Sequence, residues 1–229
     1  MSTSDLGRAD LHVHPVGNGS SLADPAAFLA ALLAAGLDLV GLTDHDRINI
    51  ALELAARGAD AGLALVVGEE VTTREGHVVG LGLRALIAPG RGLGDTIAEI
   101  HAQGGLAIVT HPLLPTPTSA SRTILLALAQ GRPDQRPDAI EAFNPRAAWL
   151  PGYRRRGEGL AADAGYAVVG GSDAHRPGNI GRGVTRYRGR SLADLGAAIA
   201  AGETLVEGRA YGLRELRRAA RRRAGRPVT

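Results

Sequence analysis

The feature that most constrains the fold is an alternation of short apolar strand candidates with helical stretches along the chain. Seven segments have the pattern of buried strands: ADLHVH, LDLVGLT, LALVVG, HVVGLGL, LAIVTH, DAIEAF and AVVGGSD. A first helix is marked by Asp24, Pro25 and Gly36, and further helices are predicted to begin near Ile50, Thr96, Ser121, Tyr153, Ser191 and Leu213. This alternation is typical of parallel βαβ units, so the sequence predicts an α/β fold.

The length and the distribution of charge indicate one domain with a basic extension. At 229 residues the chain suits a single α/β barrel domain. All 26 basic residues are Arg, and eight of them lie between Arg209 and the C-terminus. We therefore expect one domain over 1–208 and an Arg-rich helix or tail over 209–229. No apolar run approaches the ~20 residues that span a bilayer, and the start lacks a secretory signal, so we expect a cytoplasmic location and no membrane partner.

Most of the histidines fall where predicted strands end. His12 and His14 are two positions apart, which places both side chains on one side of a strand. Later strand ends carry His45, His77, His111 and His175, together with Asp44, Glu70 and Asp173. The carboxyl ends of parallel strands share one face of a barrel, where active sites form. His101 is the exception, since it lies near a predicted helix end, where a histidine contacts terminal carbonyls without a functional role.

These residue types favour metal chemistry. The chain has no cysteine, so a transition metal would be held by His, Asp or Glu. Such a set suits zinc, manganese or iron, and the surplus of ligands indicates more than one ion, with a lone buried Glu suited to bridge them. Two ions about 3.5–4 Å apart can share a hydroxide and clamp a phosphate for in-line attack. The pattern therefore points to hydrolysis of a phosphoester.

The order of these motifs resembles that of the PHP family, named for polymerase and histidinol phosphatase domains. The match runs from residue 8 to residue 190 through DLHVHP, GLTDHD, VVGEEVTTREGHVVGLGL, VTHP, IEAFN and GSDAH followed by GRGVT. The resemblance implies a distorted seven-stranded, TIM-like β/α barrel. It also implies up to three divalent metal ions at the carboxyl face and phosphoesterase activity.

The resemblance further implies a role for each ligand. The first metal would be bound by His12, His14 and Asp173. Glu70 would bridge to a second metal that is also bound by His77 and His111, and His45 and His175 would bind a third. Glu70 is chosen over Glu69 because the family pattern is Gly, any residue, Glu, and because strand alternation separates the two side chains. Asp44 and Asp46 are expected to support ligands or cap loops.

One position departs from the family pattern. Gly19 stands where members that fill the third site carry Asp or His, five residues after His14. Asn18 could offer its amide oxygen if the loop is shifted. Two possibilities follow for the third ion. It is bound by His45 and His175, or it is absent and these two histidines act as a general acid or contact the phosphate.

Arginine near the last motif indicates where a substrate would bind. Arg182 resembles the family's basic residue at the mouth of the site, and Arg176 and Asn144 are further substrate-binding candidates. The predicted catalytic residues are Glu70, His175, which would protonate the leaving group, and Arg182. The leading hypothesis is an enzyme that hydrolyses a small phosphomonoester or a nucleotide with two to three manganese, zinc or iron ions and a metal-bridged hydroxide.

Two alternatives remain open. A degenerate PHP fold could act as a metal-binding or regulatory module, which Gly19 motivates. A nuclease acting on short nucleic acid could use the Arg-rich tail to track the backbone. Beyond Tyr211 the tail has no aromatic residues interleaved with its arginines for stacking bases, so nucleic acid is not favoured as a partner.

Overall fold

A computed structural model of the protein describes residues 5–16, 24–60 and 64–211. Nine β-strands lie within these ranges: β1 (Gly7–Val13), β2 (Leu39–Leu42), β3 (Ala64–Thr73), β4 (Gly76–Leu81), β5 (Leu106–Val109), β6 (Ala139–Phe143), β7 (Ala167–Gly170), β8 (Gly183–Tyr187) and β9 (Leu205–Gly208). The same ranges contain six α-helices: α1 (Pro25–Ala34), α2 (Asn49–Asp60), α3 (Leu93–Ala102), α4 (Arg122–Gln130), α5 (Tyr153–Ala164) and α6 (Leu192–Ala201). The helix predicted near Leu213 lies outside the described residues, and the domain boundary after residue 208 stays a prediction.

Three of the described helices, α1, α4 and α6, begin at a side chain that accepts one of their free backbone N–H groups. The Asp24 side chain accepts the N–H of Ala27 at 3.0 Å, and Pro25 opens α1 as predicted. Ser121 caps α4, and Ser191 caps α6 in a reciprocal capping box with Asp194. Such caps replace hydrogen bonds that the first helical turn lacks. Among the helices described, none has the length and apolar character needed to cross a membrane.

The strands form one sheet in the order β7-β6-β5-β4-β3-β2-β1-β8-β9. β1, β2 and β3 are parallel to one another, and so are β5, β6 and β7. β4 is antiparallel to both β3 and β5, while β8 is antiparallel to β1 and to β9. The prediction of parallel units is therefore wrong at β4, and β8 and β9 were not among the predicted strands. The predicted count of seven strands also differs from the nine found within the described ranges.

The two halves of the sheet approach each other where β7 meets β8. Oγ1 of Thr185 accepts the N–H of Gly170 and donates to the carbonyl oxygen of the same residue, each at 2.9 Å. Just before β9, Oγ1 of Thr204 donates to the carbonyl oxygen of Val168 at 2.7 Å. A Cβ on Gly170 would lie 2.9 Å from the carbonyl oxygen of Val184, so this approach requires glycine. The sheet is therefore a nearly closed barrel.

Aliphatic side chains fill the layer between helices and sheet. Ile97 of α3, Leu125 of α4 and Leu160 of α5 are fully buried in one cluster with Val109 of β5 and Ile140 of β6. Burial of each such side chain contributes about 1.5–3 kcal/mol relative to leaving it exposed. This packing fixes the positions of the strand ends that carry the candidate site.

Candidate metal centre

The structure brings all eight predicted metal ligands into one cluster at an end of the sheet. The set consists of His12, His14, His45, Glu70, His77, His111, Asp173 and His175. All are buried except His45 and His175, which are partly exposed. His77 lies at the amino end of β4, and it still joins the cluster because β4 runs antiparallel to β3. The antiparallel strand thus adds its first residues to the face formed by the carboxyl ends of the parallel strands.

Glu70 lies at the centre of the cluster, and its two oxygens face different groups of histidines. Oε1 is 3.1 Å from Nδ1 of His77 and 3.0 Å from Nε2 of His111. The hydroxyl of Thr110 also donates to Oε1 at 3.0 Å. Oε2 lies 3.2 Å from Nε2 of His12, 3.4 Å from Nε2 of His14 and 3.0 Å from Nδ1 of His45. A carboxylate placed in this way is suited to bridge two cations.

Glu69, its neighbour, points elsewhere and accepts the N–H of Ile87 at 2.9 Å.

Several polar atoms of the cluster converge without forming hydrogen bonds. Oε2 of Glu70 and Nδ1 of both His14 and His111 are buried and lack a hydrogen-bond partner within the described part of the chain. Nε2 of His12 and Nε2 of His14 are only 3.1 Å apart. Unsatisfied buried polar atoms are costly, and a cation among them would supply the missing interactions. The donor set of imidazoles and carboxylates therefore fits divalent zinc, manganese or iron.

The backbone at the site is also held in an uncommon conformation. His111 and Asp173 both have positive φ, 29° and 49° respectively, although neither is glycine. Such residues cost of order 1–3 kcal/mol each and concentrate at functional sites. Asp46, at φ 50°, accepts the N–H and the hydroxyl of Thr72 at 2.7 and 2.8 Å. It therefore fixes the loop after β2 and lies outside the ligand set.

Four overlapping groups of three residues place their donor atoms within 4.8 Å of one another. They are His12, His111 and Asp173; His12, His14 and Glu70; His45, Glu70 and His77; and His14, His45 and His175. The groups share members, and they divide the ligands differently from the predicted first, second and third sites. The allocation of ligands to individual ions stays a prediction.

The electrostatic field of the cluster favours a cation. Burial alone would raise the pKa of Glu70, but His12 and the hydrogen bonds from His111 and His77 hold that pKa well below its ordinary value. Burial lowers the pKa of His14 to about 3, so its ring is neutral and keeps a free lone pair. The pKa of Asp173 is also well below its ordinary value, since Arg146 and His12 outweigh the effect of burial. Ionised Glu70 and Asp173 thus lie beside the neutral ring of His14. The same carboxylates raise the pKa of His12 and His111 against the effect of burial, so a metal ion would bind these two rings by displacing a proton.

Buried carboxylates around the cluster orient its ligands. Oε1 of Glu141 on β6 lies 3.1 Å from Nδ1 of His12, and Oε2 accepts the backbone N–H of His111 at 2.8 Å. Asp10 accepts the N–H of Ser172 at 2.9 Å, and burial raises the pKa of Asp10 to about 6. Sequence reasoning missed both carboxylates, although Glu141 lies within the IEAFN motif. The signal for Glu141 was an acidic residue inside an apolar strand.

The predicted substrate-binding residues lie in three different environments. Asn144 is fully buried, and its Nδ2 donates to Glu141 at 2.9 Å, so it supports a carboxylate rather than facing solvent. The guanidinium of Arg182 lies over the ring of Tyr211, 5.5 Å from its centroid. Arg176, next to His175, is exposed.

Arg146 contacts the cluster directly and was missed in the sequence. Its Nη1 donates to Nδ1 of His175 at 2.9 Å, and its Nε lies 3.3 Å from Oδ2 of Asp173. The side chain keeps 38% of its surface exposed, so it reaches from solvent to the ligands. Arg146 lies in an ordinary NPRAAW segment and is one of 26 arginines, so nothing in the sequence distinguished it from the others.

His101 lies outside the cluster, as predicted, but its contacts differ from those expected. Nδ1 is 2.9 Å from the carbonyl oxygen of Asp134, and Nε2 is 3.0 Å from Oδ2 of Asp138. The hydrogen bond to Asp138 raises the pKa of His101, partly opposed by burial. His101 therefore ties α3 to the connection between β5 and β6 instead of contacting the carbonyls of its own helix.

Comparison with known proteins identifies the family. A PHP-associated family model matches residues 151–204. An uncharacterized protein of Methanocaldococcus jannaschii is 33% identical over 147 residues, which is 60% of this chain and 81% of that relative. The chain belongs to the PHP family.

Solved structures share the PHP fold. A two-domain protein from Bacteroides vulgatus, which contains a predicted PHP-like metal-dependent phosphoesterase, has a TM-score of 0.71 at 20% identity. The similarity covers 93% of this chain and 68% of that protein. An amidohydrolase from Chromobacterium violaceum with bound sulfate and no metal has a TM-score of 0.61 at 19% identity, over 86% of this chain and 97% of that protein.

One PHP expectation cannot be placed in the fold. Gly19 and Asn18, which bear on the third metal, lie outside the described residues. The other two elements of that site are present: His45 and His175 form a group with His14. Occupancy of a third PHP site therefore stays a prediction.

Proposed function

We propose that this PHP protein is a metal-dependent phosphoesterase that hydrolyses a small phosphomonoester or a nucleotide with two to three manganese, zinc or iron ions. The observation that carries the proposal is the arrangement around Glu70, whose two oxygens face separate sets of imidazoles. A bridging carboxylate between two nitrogen-rich sets supports a multinuclear site. The PHP-like protein from Bacteroides vulgatus gives independent support, since it contains a predicted metal-dependent phosphoesterase.

Divalent ions, when bound, lower the pKa of a water molecule and neutralise charge on phosphoryl oxygens. The ions would be held by the eight clustered His, Glu and Asp side chains. In the overall reaction, the oxygen of water bonds to phosphorus, the bond from phosphorus to the leaving oxygen breaks, and inorganic phosphate and an alcohol are released. Arg146 and Arg182 would orient the phosphate through their planar guanidinium groups. With three ions bound, His175 would be a metal ligand; with two ions bound, His175, which is partly exposed beside Arg146, would instead donate a proton to the leaving oxygen.

The test compares wild type with Glu70→Gln on an aryl phosphate and a nucleotide panel, each with manganese, zinc or iron. We expect metal-dependent turnover by wild type and a loss of at least about 100-fold in Glu70→Gln, because the amide lacks the bridging charge. Glu53→Gln is the matched control, since Glu53 is exposed on α2 and pairs only with Arg57 among the ion pairs described. Absence of turnover with every metal, or equal activity of wild type and Glu70→Gln, would reject the proposal.

Metal content distinguishes this function from that of a degenerate module. Protein purified without chelator should contain about two to three ions per chain if the site is multinuclear. Less than one ion per chain, together with inactivity after reconstitution, would favour a binding or regulatory role.

A further inference from the structure

The connection between β6 and α5 forms a helical turn that starts at the candidate site. The N–H groups of Ala147 and Ala148 both donate to the carbonyl oxygen of Asn144, each at 3.0 Å. Residues three positions apart in such a turn lie on the same side. Arg146 and Trp149 have this spacing, and Arg146 contacts both Asp173 and His175. The turn therefore links an exposed aromatic ring to a guanidinium that reaches the metal ligands.

Trp149 differs from every other aromatic residue of the chain. The seven aromatic side chains comprise two Phe, one Trp and four Tyr. Trp149 keeps 56% of its surface exposed, whereas the two Phe and three of the four Tyr are buried and Tyr211 is partly buried. Within the described ranges, the other large exposed apolar residues are aliphatic and lie on separate elements: Leu33, Leu52, Leu86 and Leu205. In a chain that uses its few aromatic rings for packing, an exposed Trp three positions from a residue that contacts the metal ligands points to a binding role.

The surroundings of the turn add cationic and aromatic groups. The N–H of Tyr211 donates to the carbonyl oxygen of Pro145 at 3.4 Å, and its hydroxyl donates to that of Ser172 at 3.1 Å. Arg182 stacks over the Tyr211 ring. Arg146, Arg182 and the Tyr211 ring thus lie close to one another, next to the turn that carries Trp149. Guanidinium recognises phosphate, and an exposed ring recognises a flat apolar group.

We propose that Trp149 is a specificity-determining residue that stacks on the base of a nucleoside monophosphate while its phosphate occupies the metal centre. The inference rests on the proposed phosphoesterase function and names its substrate class. Base stacking on an aromatic side chain is tolerant of base identity, so Trp149 selects for a nucleobase over a sugar or aliphatic group without choosing among bases. Arg146, three positions earlier, orients the phosphoryl end of the same substrate.

The kinetic test uses adenosine monophosphate and ribose 5-phosphate, which share the phosphorylated ribose and differ in the base. Trp149→Ala should lower kcat/KM for adenosine monophosphate about tenfold or more, mainly through KM, and change that for ribose 5-phosphate less than twofold. Trp149→Phe should restore most of the loss, because it keeps an aromatic face. Leu205→Ala is the control, since Leu205 is similarly exposed on β9. Equal losses for both substrates, or none for either, would overturn the proposal.

Fluorescence separates this inference from the proposed function. Trp149 is the only tryptophan, so intrinsic emission reports on it alone, and Trp149→Phe provides the blank. Adenosine monophosphate should quench the emission of the metal-loaded protein, while ribose 5-phosphate should not. Quenching by adenosine monophosphate without turnover of any phosphoester would reject the proposed phosphoesterase function and support Trp149 as part of a nucleotide-binding site. Turnover without quenching, or a blue-shifted emission in the free protein that indicates a covered ring, would reject the role of Trp149.

Discussion

Replacing Glu141 with glutamine tests whether this buried carboxylate sets the tautomer of His12. Oε1 of Glu141 lies 3.1 Å from Nδ1 of His12, while Oε2 accepts from the His111 backbone at 2.8 Å and from Asn144 Nδ2 at 2.9 Å. A carboxylate can accept all three hydrogen bonds at once. With its proton on Nδ1, His12 turns the lone pair of Nε2 toward Glu70 and a metal ion.

A glutamine at position 141 cannot satisfy the same three partners. If its carbonyl oxygen faces His111 and Asn144, its NH2 group faces Nδ1 of His12, and the ring proton must move to Nε2. The nitrogen that faces the cluster then has no free lone pair. If the amide turns round, its NH2 group meets two other donors. Loss of a hydrogen bond to a charged group costs about 1.5–3 kcal/mol. This free energy corresponds to the 10- to 100-fold loss of metal affinity that is typical when such a partner is removed.

Isothermal titration with manganese or zinc measures the effect. We expect Glu141→Gln to bind metal about 10- to 100-fold more weakly than wild type, and activity to recover when metal is in excess. Glu158→Gln is the control, because Glu158 lies on the surface of α5 and pairs with Arg154 at 2.7 Å. Equal affinities for wild type and a folded Glu141→Gln would refute the tautomer argument.

Three further predictions concern stability. Gly171→Ala would place a methyl group 2.6 Å from Cβ of His12, and we expect a loss of about 1–3 kcal/mol in urea unfolding, together with weaker metal binding. The hydrogen bond to Asp138 raises the pKa of His101 in the folded protein, so it adds stability below the unfolded pKa that is lost as pH rises through the folded pKa. His101→Gln should therefore cost about 1 kcal/mol of unfolding free energy at pH 5.5 and little at pH 9. A cost that does not change with pH would count against this. Ile97→Ala, at a fully buried position of α3, should cost about 2–5 kcal/mol in the same assay, and a loss below 1 kcal/mol would contradict the packing.

Much of the candidate site could be predicted because its residues follow strand ends. Alternation placed His12 in β1 and His14 just after it on the same side, and the same rule separated Glu70 from Glu69. Cap residues such as Asp24 and Ser191 gave the helix starts, since they satisfy free N–H groups within a few positions. These are local signals, which a single sequence retains.

The parts that were missed depend on contacts between distant segments. Only two residues, Arg74 and Glu75, connect β3 to β4. A connection this short cannot cross over to a parallel strand, so its length already indicated an antiparallel hairpin. β8 had no such signal, because it pairs with β1 at the opposite end of the chain, and β9 pairs in turn with β8. Arg146 and Glu141 gain their roles only once Asp173 and His12 are beside them.

The dispersal of ligands from residue 12 to residue 175 determines when a metal ion can be captured during biosynthesis. Among the residues that the structure describes, no contiguous stretch supplies a complete group, since each candidate triplet joins segments at least 25 residues apart. A nascent chain still lacking β7 carries neither Asp173 nor His175 and cannot assemble the full cluster. The groups His12, His14 and Glu70 and His45, Glu70 and His77 are complete once β4 begins, but loading of the full cluster must follow the synthesis of β7 and the closure of the barrel. The hydrogen bonds to Glu70 from Thr110 and the histidines would hold the ligands in place during that interval.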